Sequence, residues 1–346
     1  MVTRLLRFSA ALFLVSIVSV NFAIAKTESE QIAELKEKAQ FLSNKKKFKE
    51  AIAESEQALK LNSRDASIYY LRARIRESQK DPLAAMKELN KAIELNPKYA
   101  EAYLLRAKAY YFLAEVDEGR DNIARAKRDL DTALKLNPLL AEGHDFKGVG
   151  LANEDKPLEA LIHFNKAVQL DKSSSRYLEH RAMALNAMGE RLEASKDLRR
   201  AAELKKNDPH SWVVLSQQLT DIGLYKEAIS ALDTAVNLNH NQIECIYRRA
   251  SLLLRLYHYK EALSDLNAVL SLSPNDDDAL KMRGDAYFGL KNYAMAVKDY
   301  DQAIKLAPDQ SSHYQARAKV LRLMHNEAAA RADEAKMEKL KAAKLK

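Results

Sequence analysis

The chain has 346 residues, with 56 Lys and Arg against 48 Asp and Glu for a formal charge of +8, and only 8 Gly, 7 Pro and one Cys. So few turn formers suit an all-helical chain and speak against a turn-rich sheet protein. The lone Cys245 excludes intramolecular disulfides, so packing must carry stability even in an oxidising compartment.

Residues Met1–Ala25 differ from everything after them. Arg4 and Arg7 precede an uncharged apolar run from Phe8 to Val20, and Ala23-Ile24-Ala25 supplies small residues just before Lys26. This is the layout of a secretory signal peptide at residues 1–25. An uncleaved anchor is the rival, since the uncharged stretch Phe8–Ala25 just reaches the lower length limit for a crossing helix. In either case the remainder is expected outside the cytoplasm, in a periplasm or secreted, with an endoplasmic reticulum lumen disfavoured by the lack of an Asn-x-Ser/Thr acceptor and of a C-terminal retrieval signal. Loss of Arg4 and Arg7 leaves a modest +6. Its local clusters, Lys45–Lys47 and Lys336, Lys339, Lys341, Lys344 and Lys346, read as solvated helix surface and tail.

From residue 26 onward the chain repeats. Alanine recurs at Ala51, Ala85, Ala126, Ala160, Ala194, Ala228, Ala262 and Ala296, at one fixed interval except for a longer step between Ala85 and Ala126. A second column follows two helical turns later at Ala58, Ala92, Ala133, Ala167, Ala201, Ala235, Val269 and Ala303. A third small column holds Ala39, Ala73, Ala107, Gly148, Ala182, Ser216, Ala250 and Gly284. Between them apolar residues follow helical spacing, as in Trp212, Leu215, Leu219 and then Ile229, Leu232, Val236. Each unit therefore predicts two antiparallel helices that approach closely at the small residues. Breaks between units carry Asn96-Pro97, Asn137-Pro138, Ser273-Pro274 and Ala307-Pro308, since proline cannot continue a helix. The third unit has seven extra residues near 115–121, close to two helical turns, which either lengthen its helices or loop out. The array spans residues 26–310, and 311–346 predict an ending helix pair, of which the first half of a ninth unit is the clearer part, with a basic tail.

Trp212-x2-Leu215-Ser216-x2-Leu219 with Ala228-x3-Leu232, and Leu280-x2-Arg283-Gly284-x2-Tyr287 with Ala296-x3-Tyr300 and Pro308, resemble the tetratricopeptide repeat (TPR) family. About eight such units cover most of the chain. The resemblance implies an all-α fold, a right-handed α-solenoid of stacked helix-turn-helix units, with a concave groove for a protein or peptide partner lined by the first helix of each unit. Carried over by register, the groove candidates are Tyr70, Arg74, Leu104, Lys108, Tyr111, Phe112, Met183, Gln217, Tyr247, Leu254, Arg255, Lys281, Asp285 and Phe288. Tyr111 and Phe112 beside Lys108, next to the insert, form the strongest local case. The family's carboxylate clamp is absent, because Lys36 with Gln40, Leu71, and Glu101 with Leu105 stand where Lys, Asn and Arg are required.

Chemistry has no foothold in the sequence. The eight histidines are scattered without a His-x3-His pair, there is no Gly-rich phosphate loop and no Gly-x-Ser-x-Gly elbow, and Cys245 has no catalytic context. The expectation is a protein that is not an enzyme and has no cofactor, no metal, no nucleic-acid partner and no small-molecule substrate. Membrane association is expected only if the leader is retained, and self-association is left open. Glu88, Asp129, Asp197 and Asp299 are read as solvated face. The function expected is an exported scaffold or adaptor, with a chaperone-like holder of unfolded chains and a non-catalytic subunit of an envelope enzyme complex as alternatives.

Overall fold

Several helix starts are set by polar side chains and prolines, both between hairpins and within them. Asp65, Asp81, Ser174, Asp208 and Asp276 each accept a hydrogen bond from a backbone N–H of the turn that follows, satisfying donors that the helix leaves open. Pro82, Pro157 and Pro209 stand at the first helical positions, where no N–H is needed. The result, in a computed structural model that describes residues 26–117, 120–239 and 243–344, is eighteen helices and, among those residues, no strand. The expected signal peptide at residues 1–25 lies outside the described residues, as do 118–119 within the expected insert.

The helices form hairpins in chain order. The first four are α1 (Glu28–Asn44) with α2 (Phe48–Leu61), α3 (Ala66–Ser78) with α4 (Pro82–Leu95), α5 (Ala100–Asp117) with α6 (Arg120–Leu136), and α7 (Ala141–Asn153) with α8 (Pro157–Leu170). Then come α9 (Ser175–Ala187) with α10 (Arg191–Leu204), α11 (Pro209–Asp221) with α12 (Tyr225–Leu238), and α13 (Ile243–Arg255) with α14 (Tyr259–Leu272). The last are α15 (Asp277–Gly289) with α16 (Tyr293–Leu306) and α17 (Ser311–Leu323) with α18 (Glu327–Lys344). The end of the described chain is thus a full ninth hairpin, in which Ala330 continues the alanine column at 0% exposure. The extra residues of the third unit lengthen its helices: α5 and α6 have 18 and 17 residues, where α11 and α12 have 13 and 14.

The chain divides into two compact units, one ending at Lys147 and one beginning at Gly148. In each, the alanine columns are buried at helix crossings; Ala51, Ala126, Ala228, Ala262 and Ala296 are all fully enclosed. Where the third column holds glycine, the facing helix supplies an aromatic ring. A Cβ on Gly284 would stand 2.5 Å from the Tyr300 ring, and one on Gly148 would stand 2.6 Å from that of Phe164. In eight of the hairpins the turn takes one left-handed residue, glycine at Gly189 and Gly223 but Lys46, Lys80, Asp155, Tyr257, Lys291 and His325 elsewhere. No helix among the described residues is long and apolar enough to cross a membrane.

One expectation is overturned here. Asp129, Asp197 and Asp299 are not solvated but 8%, 7% and 2% exposed, and Glu88 faces Arg72 rather than water. Each belongs to a repeated clamp in which an arginine of the first helix forks onto a carboxylate of the second. Arg283 donates through Nε and Nη2 to Asp299 at 2.8 Å each, and its Nη1 reaches Asn267 of the preceding hairpin at 2.9 Å. Arg106–Asp129 with Asn90, Arg181–Asp197 with Asn165, Arg249–Asp265 with Asp233, and Arg317–Asp333 with Asp301 repeat the arrangement. The fork matches carboxylate geometry and satisfies both charges, which permits their burial.

The last helix is built differently on one side. Where α16 carries Val297, Tyr300 and Ile304, α18 carries Arg331, Glu334 and Glu338. Arg331 and Glu338 are exposed and Glu334 pairs with Arg322 of α17, so this side of α18 is polar.

Candidate partner-binding site

In the N-terminal unit the first helices bring several of the expected groove residues together. Lys108 of α5 projects between Glu77 of α3, at 3.3 Å, and Glu142 of α7, at 3.2 Å, so one ammonium ties three consecutive hairpins. Burial alone would lower the Lys108 pKa, but the carboxylates of Glu142 and Glu77 outweigh it and hold the amine above its ordinary value. One turn further along α5, Tyr111 meets the Phe146 ring edge-on at 5.2 Å, and Phe112 is left 47% exposed. These groups border a pocket of about 450 Å³ whose other walls include Lys80, Pro82, Leu105 and Ala109. An apolar floor with a small number of fixed charges at its rim is what a binding pocket requires.

The other candidates in this unit separate. Tyr70 is half-buried against Tyr99, ring centres 4.9 Å apart, and burial raises both phenols, Tyr99 to about 12. Arg74 is exposed. Leu104 is a correction: at 3% exposure it lies in the core with Ala107, Ala126 and Leu130, because the crossing of α5 and α6 turns it inward.

In the C-terminal unit a second pocket, about 260 Å³, is lined by Asp155, Pro157, Phe164, His180, Met183, Ala184 and Ala187 among others. Its Asp155, Pro157, His180, Met183, Ala184 and Ala187 follow Lys80, Pro82, Leu105, Lys108, Ala109 and Phe112 by one constant offset along the chain, so both pockets occupy one register of the repeat. The chemistry differs. Met183, 67% exposed, replaces Lys108 and Ala187 replaces Phe112, which makes this pocket smaller and uncharged at those positions.

The remaining candidates in this unit are tied into the protein itself. Gln217 donates to Asp221 at 2.8 Å and also accepts from Arg248. The Arg255 guanidinium lies 4.4 Å from the centre of the Tyr225 ring. Lys281 pairs with Asp285 at 2.7 Å, and Asp285 also accepts the Tyr300 hydroxyl. Tyr247 is half-buried with its phenol pushed up to about 12 by burial, while Leu254 and Phe288 pack against core clusters. Glu77, Glu142, Phe146 and Pro82 were not foreseen; the one available signal was that Glu142 stands one full repeat after Lys108.

Models of the tetratricopeptide repeat match residues 37–65, 66–99 and 277–310, and the register they mark runs through all nine hairpins. The chain carries tetratricopeptide repeats. Among known proteins, this chain is 36% identical over 87 residues to a 58 kDa phosphoprotein of Plasmodium berghei, a stretch that is 25% of this chain and 21% of the relative's length. Similar solved structures include MamA from Desulfovibrio magneticus RS-1, with 24% identity and TM-score 0.46 over 49% of this chain and 96% of that one. YrrB, described as a TPR protein with an unusual peptide-binding site, has 24% identity and TM-score 0.47 over 54% of this chain and 97% of its own. The TPR domain of P58(IPK) has 16% identity and TM-score 0.32 over 85% and 98%.

Proposed function

We propose that the protein is an exported TPR scaffold that anchors a protein or peptide partner at the Lys108–Phe112 pocket of its N-terminal unit. The observation that carries this reading is Phe112, a large aromatic left 47% exposed at the rim of an apolar pocket whose lysine is already fixed by two carboxylates. Rigid aromatic anchors in desolvated pockets supply most of the energy of protein interfaces. Export is supported by the Arg4, Arg7, apolar run and Ala23-Ile24-Ala25 layout.

The test is capture of partners from the native envelope fraction by the wild-type protein and by Phe112→Ala. Truncating an interface anchor costs about 2 kcal/mol or more, so the variant is expected to lose captured partner about 30-fold in affinity. Equal capture by both proteins would remove the pocket from the function. Suppression of aggregation of unrelated clients, unchanged by the variant, would instead favour a holder of unfolded chains, and copurification with a hydrolase or synthase would favour a subunit of an enzyme complex.

A further inference from the structure

We infer that the C-terminal unit carries a site for a first-row divalent metal ion formed by Asp277, Asp278 and His313. Asp277 and Asp278 open α15, after the capping residue Asp276, while His313 sits in the first turn of α17 one hairpin later. The imidazole Nε2 lies 2.9 Å from Asp277 Oδ2, and one ligand atom from each of the three residues falls within 4.8 Å of the others. The sequence concealed this trio because His313 lies more than a full repeat after Asp277 and Asp278 along the chain.

The histidine itself is the second observation. His313 is 0% exposed, and its Nδ1 is buried with no hydrogen-bond partner. At the same place stand Glu34, Gly143, Tyr177 and Ser211 in four other hairpins, and Ile68, Ala102, Cys245 and Ala279 in the remaining four, these last all buried at 1% or less. Packing alone is served better by those residues, since a buried nitrogen without a partner is a net cost. What distinguishes the histidine is the other edge of its ring, which faces two carboxylates. Asp278 is exposed, so the open side of the trio is left to water or to a donor from a partner.

The donor set selects among ions. One imidazole and two carboxylates suit zinc, cobalt, nickel or manganese, whereas calcium and magnesium favour oxygen alone. The positive end of α15 opposes a cation, but two formal negative charges stand against that partial one.

Calorimetric titration of the full chain with zinc, manganese and calcium tests the site, alongside His313→Ile and Asp277→Asn. The expected result is saturable zinc binding at one site, a zinc-dependent rise in melting temperature, and little response to calcium. His313→Ile should melt no lower than the wild type without metal while its zinc affinity falls by more than about 10-fold, since loss of a partner one shell further out already costs 10- to 100-fold. Asp277→Asn keeps the histidine and should also weaken zinc. Zinc binding unchanged in both variants, no saturable zinc binding in the wild type, or an equal response to calcium would each overturn the inference.

Discussion

Lys291 occupies a left-handed backbone position, at φ +61°, and its side chain is exposed. At the same point of other hairpins the chain uses Gly189 and Gly223, which adopt that conformation without a Cβ contact. A residue other than glycine there costs about 1 kcal/mol or more, partly offset by the greater freedom that glycine has when unfolded. Lys291→Gly is therefore expected to stabilise the C-terminal unit by about 0.5 kcal/mol, read as a rise of about 1–2 °C in melting temperature. A lower melting temperature would mean that the lysine makes a compensating contact. Burial also varies within one register: the column of Leu104 is half-buried at Tyr70, Tyr247 and Lys281 but buried at Leu104 and Asp145.

Hairpins are held by the arginine clamp, and the molecule contains its own control. In the sixth hairpin the clamp positions are Leu215 and Ala231, 0% and 4% exposed, so an apolar pair fills the same space. Arg283→Leu alone leaves Asp299 buried without its partner and is expected to cost about 3–5 kcal/mol, as breaking a buried ion pair does. Adding Asp299→Ala removes the stranded charge and should recover most of that loss, because well-packed apolar replacements of buried ion pairs are often neutral. Chemical denaturation of the two single variants and the double variant checks this through their coupling. Additive losses would mean that the two residues contribute separately and that the fork is incidental to stability.

For the molecule as a whole, the proposed compartment rests on reading residues 1–25 as a leader. N-terminal sequencing of protein made in its native host is expected to return Lys26 as the first residue, in an envelope or secreted fraction. Recovery of an intact Met1 form in membranes would replace export by anchoring, and an intact soluble form would remove the assignment. Either result leaves the pocket at Lys108 and Phe112 as it stands, since it is built entirely from residues 77–146.

The alanine columns, the glycines of the third column and the Asn-Pro breaks determined the hairpins by themselves, because close crossings demand small residues and helix ends demand caps wherever they occur. The repeat thus needed only the local rules of one hairpin, applied again and again. Side-chain environment was decided only in three dimensions. Asp129, Asp197 and Asp299 look like solvent-facing charge along their own helices, and only the arginine presented by a neighbouring helix makes their burial possible. Lys108 finds its two glutamates, and His313 its two aspartates, across successive hairpins. Those pairings depend on how hairpins stack, and stacking is not written in the periodicity that reveals them.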